Sequence, residues 1–489
     1  MQPSAGNQKL KERTSKAFLW SFIDSIGFRG VQLIIGIILA RLLFPEDFGL
    51  IGMLAIFMAV GQLFISSGFG SALIQKREAT MRDTCSIFYF NILAGLVMAL
   101  FLCAAAPWIA SFYNQPILTP ITRSLSLILV INSFGLIQAT ILTKNIDFKT
   151  QTKISLIASL LSGIIGVSLA FLDFGVWSLV AQQISSSVFR TALLWMFNSW
   201  RPAWVFCFQS LREMFGFGSR MFFSGLLNQI FQNIYLLAIG RFFSASDLGY
   251  FTRAKTLEEV PTLTLSGMVG RVAFPVFSAI QDDRPRLKRG LKRALLVLSL
   301  FNFPMMIGLA IIARPLVLVL LTDKWAECII YLQLLCLAGL LTPIHSINLN
   351  MLQALGRSDL FLRLEIVKKI LIVINIAVTW RWGIAAMIIG MVILSMISYY
   401  LNSYYTGTLL GYPISEQLRD LFSYLMMAGI MGFAVYGIGF FPFANDWSLL
   451  LVQIPLGGVV YFGLCRIFKL AAFMEVWQEI RTKIKVLRG

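Results

Sequence analysis

Apolar residues run along this chain in long blocks, and polar residues are confined to the short gaps between them. A helix needs about 20 apolar residues to cross the hydrocarbon core of a bilayer. Fourteen segments answer to that measure: 18–43, 50–73, 85–107, 120–142, 154–172, 176–197, 216–240, 248–279, 294–313, 328–352, 367–380, 384–404, 420–441 and 447–465. The eleventh is the shortest and the eighth the most polar. The pattern predicts an all-α polytopic membrane protein with 14 transmembrane helices.

The pattern also repeats. Arg41-Leu42-Leu43 followed by Asp47-Phe48-Gly49 recurs as Arg241-Phe242-Phe243 followed by Asp247-Leu248-Gly249. The same offset pairs Phe22 with Phe222, Gln32 with Gln232, Ile34 with Ile234 and Gly70 with Gly270. After a slip of eight residues, Pro107 meets Pro315 and Gly175 meets Gly383. Six segments separate the copies, an even number, so both halves keep the same orientation, as in transporters built from parallel repeats. The predicted organisation is a tail over 1–17, a six-helix lobe over 18–215, a second over 216–419, an extra helix pair over 420–465, and a basic tail over 466–489.

Composition narrows the class. Of 489 residues, 58% are hydrophobic and 13% charged, against about 25% charged in a soluble domain. Lipid must therefore solvate much of the surface. The net charge of +18 does not point to nucleic acid, because the basic residues sit in alternate gaps. Lys76, Arg77 and Arg82 follow the second segment; Lys144, Lys149 and Lys153 the fourth; Arg284 through Arg293 the eighth. The gaps 44–49, 108–119, 173–175 and 442–446 hold no Lys or Arg. By the positive-inside rule both termini lie in the cytoplasm. The first apolar run is too long for a signal-peptide core and reads as a retained span. In the C-terminal tail, Phe468, Leu470, Phe473, Val476, Trp477 and Ile480 lie among basic residues. That pattern suits an interfacial amphipathic helix and a solvated tail equally well.

Chemistry for catalysis is sparse. The six cysteines have no CxxC and no metal-ligand spacing, and read as small apolar fillers. His345, near Asn348 and Asn350, reads as part of an interhelical hydrogen-bond set. Glu46-Asp47 could serve a membrane glycosyltransferase or polymerase. The copy at Ser246-Asp247 keeps only the aspartate, as a turn between helices requires: Asp for a cap, Gly for tight backbone. No cofactor and no metal is expected, and the chain does not read as an enzyme.

Charges within apolar segments cost about 2.5–3.5 kcal/mol each at mid-bilayer, and are the default functional candidates. Asp24 and Arg29 lie in the first segment, Arg220 and Gln229 in the seventh. The eighth holds Arg253, Lys255, Glu258, Glu259, Pro261 and Arg271. Arg253 and Arg271 are eighteen residues apart, about five helical turns, and so share a face. Lys255 is placed to pair with Glu258 or Glu259. A water-filled cavity between the halves would accept Arg29, Arg220, Gln229, Arg253 and Arg271, and would suit an anionic phosphate or diphosphate. The bland alternative is that each arginine is neutralised by a neighbour or snorkels to an interface. Asp24 and Glu258 are the candidates for ion coupling.

Several phrases are familiar. Ala40 to Gly49 (ARLLFPEDFG), Ala72 to Lys76 (ALIQK), Gly175 to Val180 (GVWSLV), Leu248 to Ala254 (LGYFTRA) and Gly356 to Asp359 (GRSD) resemble the Wzx-type polysaccharide exporters of the multidrug/oligosaccharidyl-lipid/polysaccharide exporter superfamily. The resemblance runs from about residue 15 to residue 419 and is nearest to the colanic-acid-exporter-like branch. It implies a flippase that moves an isoprenoid-diphosphate-linked oligosaccharide from the inner to the outer leaflet of a bacterial inner membrane by alternating access, in capsular, exopolysaccharide or lipopolysaccharide assembly. Its partners would be the lipid-linked substrate, membrane lipids, and the glycosyltransferases and polymerase of the same pathway. The family has no strict signature at the arginines, so only the cationic character of the cavity carries over. The rival within the superfamily is a cation-coupled drug antiporter, whose cavity would be acidic rather than basic. A scaffold would not need the intramembrane charges.

The topology predicts that tags at either terminus resist external protease in intact spheroplasts; cleavage of either tag from outside would reverse the assigned orientation.

Overall fold

The computed structural model describes residues 27–66, 68–76 and 78–488. Asp24 and the side chain of Arg271 lie outside the described residues. Every described regular element is helical. The first helix, α1, is described over 27–42. It is followed by α2 (Pro45–Ser66), α3 (Phe69–Gln75), α4 (Met81–Tyr113), α5 (Leu118–Lys144), α6 (Phe148–Phe171), α7 (Val176–Phe197), α8 (Phe208–Phe242) and α9 (Ala245–Ala279). Then come α10 (Arg284–Ile311), α11 (Ala313–Leu321), α12 (Cys328–Gly339), α13 (Thr342–Ala354), α14 (Ser358–Thr379), α15 (Ile384–Leu410), α16 (Ile414–Ile438), α17 (Asp446–Ile467) and α18 (Ala471–Arg488). Among the described residues, ten helices or helix pairs are long and apolar enough to cross a membrane.

Two of the predicted spans are broken. The second divides into α2 and α3 at Gly68, whose φ of 72° turns the chain out of the right-handed helix. A side chain there would also strike the backbone of Gly218 on α8. The tenth divides into α12 and α13 between Gly339 and Thr342, with Pro343 at the start of α13. Pro is tolerated in the first turn, where its missing N–H costs nothing.

The chain forms two compact units, one closing at Thr252 and the other opening at Arg253. Within the first, α4 packs on α5, α6 on α7, and α5 on α7. Within the second, α10 packs on α12, α14 on α15, and α12 and α13 on α15. The two sets of pairings correspond, as a duplication requires. The backbone repeats too: Asn114 and Thr322 end α4 and α11 with φ of 55° and 85°, and Gly175 and Gly383 precede α7 and α15 with φ of 53° and 91°.

Close helix contact comes from small residues. A Cβ on Gly95 of α4 would lie 2.9 Å from Ser133 Cβ and 3.1 Å from Leu129 O on α5. On the outside, α4 presents Leu93, Leu96, Val97, Leu100 and Phe101, and α14 presents Leu362, Ile366, Ile370, Ile374 and Val378, all exposed. The α4 set follows the i, i+3, i+4, i+7 spacing of one helix face, and the α14 set recurs every fourth residue along one side. An apolar stripe of that length on the outside of a unit belongs against lipid.

The basic run after the eighth segment has a structural use besides orientation. Lys288 Nζ lies 2.8 Å from Glu416 Oε2, Lys292 Nζ 2.8 Å from Asp420 Oδ1, and Arg293 Nε 2.8 Å from Glu475 Oε2. Tyr412 donates to the other oxygen of Asp420 at 2.7 Å. α10 is thereby tied to α16 and to α18. The tail is helical: Ala472 and Phe473 are buried, the Ala472 N–H donates to Tyr424 Oη at 3.1 Å, and the Phe473 ring stacks on Trp477 at 6.0 Å.

Gly95→Leu should lower stability in detergent by about 1–3 kcal/mol through overpacking, whereas Gly458→Leu, with nothing within 4 Å, should leave the thermal midpoint unchanged; equal effects at both sites in a thermal-shift comparison would contradict this packing.

Candidate functional site

The repeated turns organise the first unit. In one copy, Asp47 Oδ2 accepts the Phe44 N–H at 3.0 Å. In the other, Asp247 Oδ2 accepts the Ser244 N–H at 3.2 Å and the Ser244 hydroxyl at 2.7 Å. Each aspartate ties off the chain as it enters the following helix, α2 or α9, so each engages backbone in the same way. Two residues on, the copies meet. A Cβ on Gly49 would overlap the carbonyl of Ala245, and a Cβ on Gly249 would overlap the carbonyl of Pro45. Each glycine therefore receives the other copy's backbone oxygen. This is the close approach that Cα–H···O contacts between helices need. One turn further in, a Cβ on Gly52 would lie 3.2 Å from Thr252 Oγ1 and 3.3 Å from Leu248 Cδ2. Arg241, repeated from Arg41, stacks its guanidinium 5.3 Å above the Phe112 ring.

In the second unit, a polar cluster surrounds the break between α12 and α13. Ending a helix leaves carbonyls without intrahelical partners, and within a membrane those groups must find donors from protein. Asn302 on α10 supplies them: its Nδ2 donates to Gly339 O at 3.1 Å and to Leu340 O at 2.8 Å. Ala338 O accepts the Thr342 hydroxyl at 3.1 Å and the Ser395 hydroxyl at 3.0 Å. Glu258 on α9 points at the same place. Its Oε1 occupies the position a side chain on Gly339 would take, and it accepts the Thr262 hydroxyl at 2.8 Å. Met306 Sδ fills the remaining side, 3.6 Å from Thr262 Oγ1. Glu258 is only 8% exposed. Lys255 Nζ lies 3.6 Å from Glu259 Oε1.

A second network is centred on Gln417, which is wholly buried. Its Oε1 accepts from Asn348 Nδ2 at 3.1 Å and from Ser403 Oγ at 3.2 Å, and its Nε2 donates to Tyr412 O at 3.0 Å. It joins α13, α15 and α16. Asn348 thus makes an interhelical bond as expected, whereas His345 contributes its backbone carbonyl, which accepts from Asn402 at 2.9 Å. Gln417 escapes sequence reading because its partners lie up to 69 positions away. The signal for Asn302 was similarly faint, one amide in an apolar run.

The other candidates fall as follows. Arg29 is half-buried on α1. Arg220 is exposed on α8, its Nε donating to Gly216 O at 2.8 Å in the preceding turn. Gln229, also on α8, is half-buried and accepts Asn233 Nδ2 on its carbonyl at 2.9 Å. No hydrogen bond or ion pair joins these three among the described residues. Arg253 opens the second unit, half-buried on α9 one turn before Glu258.

The family model for "Polysaccharide biosynthesis protein" matches residues 38–330. Among similar proteins, the teichuronic acid biosynthesis protein TuaB of Bacillus subtilis is 25% identical over 87% of this chain and 88% of its own length. The lipopolysaccharide biosynthesis protein WzxC of Escherichia coli is 26% identical over 86% and 81%. The succinoglycan biosynthesis transport protein ExoT of Rhizobium meliloti is 30% identical over 66% of each. Among solved structures, the inward closed form of the lipid II flippase MurJ superposes with a TM-score of 0.76 at 17% identity, covering 92% of this chain and 98% of that one. An inward-facing multidrug resistance MATE transporter gives 0.61 at 17% identity, covering 78% and 94%.

If the aspartates are caps, Asp47→Ala and Asp247→Ala should each cost about 0.5–2 kcal/mol while Asp47→Asn keeps substantial transport activity; an inactive but well-inserted Asn variant would restore the catalytic reading of this turn. The helix pairing, the MurJ-like architecture and the match over residues 38–330 agree with the motifs: the chain belongs to the polysaccharide biosynthesis protein family, as a multi-pass membrane protein of the Wzx type.

Proposed function

We propose that this protein is a flippase that carries an isoprenoid-diphosphate-linked oligosaccharide from the inner to the outer leaflet of the bacterial inner membrane. The observation that carries the reading is the agreement of names with fold: relatives over most of the chain are named for teichuronic acid and lipopolysaccharide biosynthesis, and a lipid II flippase superposes over 92% of the chain. Fourteen spans with both termini in the cytoplasm, lobes over 18–215 and 216–419, and an extra pair over 420–465 complete the proposed topology.

The mechanism follows from the duplication. Two lobes rock about a cavity open to one side at a time. The crossing of Gly49 and Gly249 forms the outer corner, closed in this state and parted when the cavity faces outward. Arg29, Arg220, Arg253 and Arg271, with Gln229, supply the cationic wall that receives the diphosphate; guanidinium suits it because its fork engages two oxygens at once. Arg29 has no carboxylate partner among the described residues. Asp24 and Glu258 are the groups through which an ion gradient would act. Glycosyltransferases and a polymerase of the pathway supply and consume the lipid-linked sugar.

Liposomes reconstituted with defined lipid-linked oligosaccharides test the reading by leaflet transfer. Arg29→Glu and Arg271→Glu should each slow transfer by about ten- to a hundredfold, the scale of one charge-assisted hydrogen bond, with normal membrane insertion. Unchanged transfer in both variants would remove the cationic wall, and absence of transfer for every lipid-linked sugar tried with the unaltered protein would remove the flippase reading.

A further inference from the structure

The α12–α13 break holds a group that lipid binding does not use. Glu258 is buried on α9, with one hydroxyl on its carboxylate and the backbone of Gly339 against it. An ionised carboxylate so placed lacks the several hydrogen bonds or paired cation that would offset its desolvation. Among the described residues, the ionisable groups that act on it are Lys255 and Glu259 on its own helix, themselves paired at 3.6 Å, and the buried thiol of Cys336 on α12; Met306 of α10, beside it, does not ionise.

A second observation comes from α10. Asn302 is wholly buried, and its Nδ2 is spent on the carbonyls of Gly339 and Leu340. Its Oδ1 is a buried acceptor with no hydrogen-bond donor among the described residues. The same helix break therefore carries a buried acceptor without a donor and a carboxylate in want of neutralisation. One proton on Glu258 removes that charge. A metal cation fits the site less well. Hard cations ask for six or more oxygen ligands, and beside the Glu258 carboxylate at Gly339 lies the sulfur of Met306, which suits soft metals.

We infer that Glu258, set against Gly339 at the α12–α13 break, forms a proton-binding site in the second unit. It deepens the flippase reading, on which it rests for its purpose: a proton taken up at a discontinuous helix is positioned to bias the arrangement of α9, α10 and α12 during the transport cycle. Discontinuous helices expose backbone groups that a continuous helix hides, so protonation can act directly on Gly339.

The test is infrared difference spectroscopy on the full-length protein in lipid nanodiscs, titrated with pH, for the unaltered chain, Glu258→Gln and Glu258→Asp. A carboxylic-acid C=O band should grow as pH falls, vanish in the Gln variant and return at a shifted position in the Asp variant. A band unchanged in Glu258→Gln would overturn the inference. So would a band that disappears when sodium is added at constant pH, which would assign the site to a metal cation instead. The measurement reads protonation alone, so its failure is separable from failure of the flippase reading, which leaflet transfer decides.

Discussion

Two glycines fix the geometry from which everything else follows. Gly49 and Gly249 each lie against a backbone carbonyl of the opposite copy, at a crossing with no room for a methyl group. Because the contact is reciprocal, neither copy can change its turn without disturbing the other. The caps at Asp47 and Asp247 hold the entry to α2 and α9 in the same conformation, so the crossing is made by two identical pieces. Contacts of this kind have short range and no charge. They form and separate without desolvating an ion.

The second unit, by contrast, is held by polar networks. Gln417 gathers α13, α15 and α16, and the pairs from Lys288, Lys292 and Arg293 add α18. Exposed ion pairs contribute at most about 1 kcal/mol each, so the buried amides set the arrangement and the charges secure its rim. The break between α12 and α13 lies inside this framework. Its freed carbonyls are answered by Asn302, Thr342 and Ser395, which leaves a defined irregularity where an apolar run would otherwise give featureless helix.

The sequence made the duplication legible because its turns need particular residues: Asp to cap, Gly to permit close approach. It could not show that the two glycines touch each other, since they are two hundred positions apart. The breaks at Gly68 and at Gly339–Thr342 were readable in principle, from the Ser-Ser-Gly run and from Thr-Pro, but a count of apolar residues passes over both. Glu258 stood out because a charge in an apolar helix is costly; its partners Thr262, Asn302 and Gly339 did not, being individually unremarkable. The arginines are the opposite case. Their cost is visible in sequence, while the contact Arg220 makes, to the Gly216 carbonyl one turn back on its own helix, is not.

The central claim is that the repeated turns form a corner that parts during the cycle. It is tested most directly by spin-label distances between Phe44→Cys and Ser244→Cys, both exposed positions beside the crossing, in a background with the six native cysteines replaced. The account predicts a short distance in the resting protein and a second, longer population when lipid-linked oligosaccharide is added. A single short distance, unchanged by any substrate under conditions that support transfer, would contradict it.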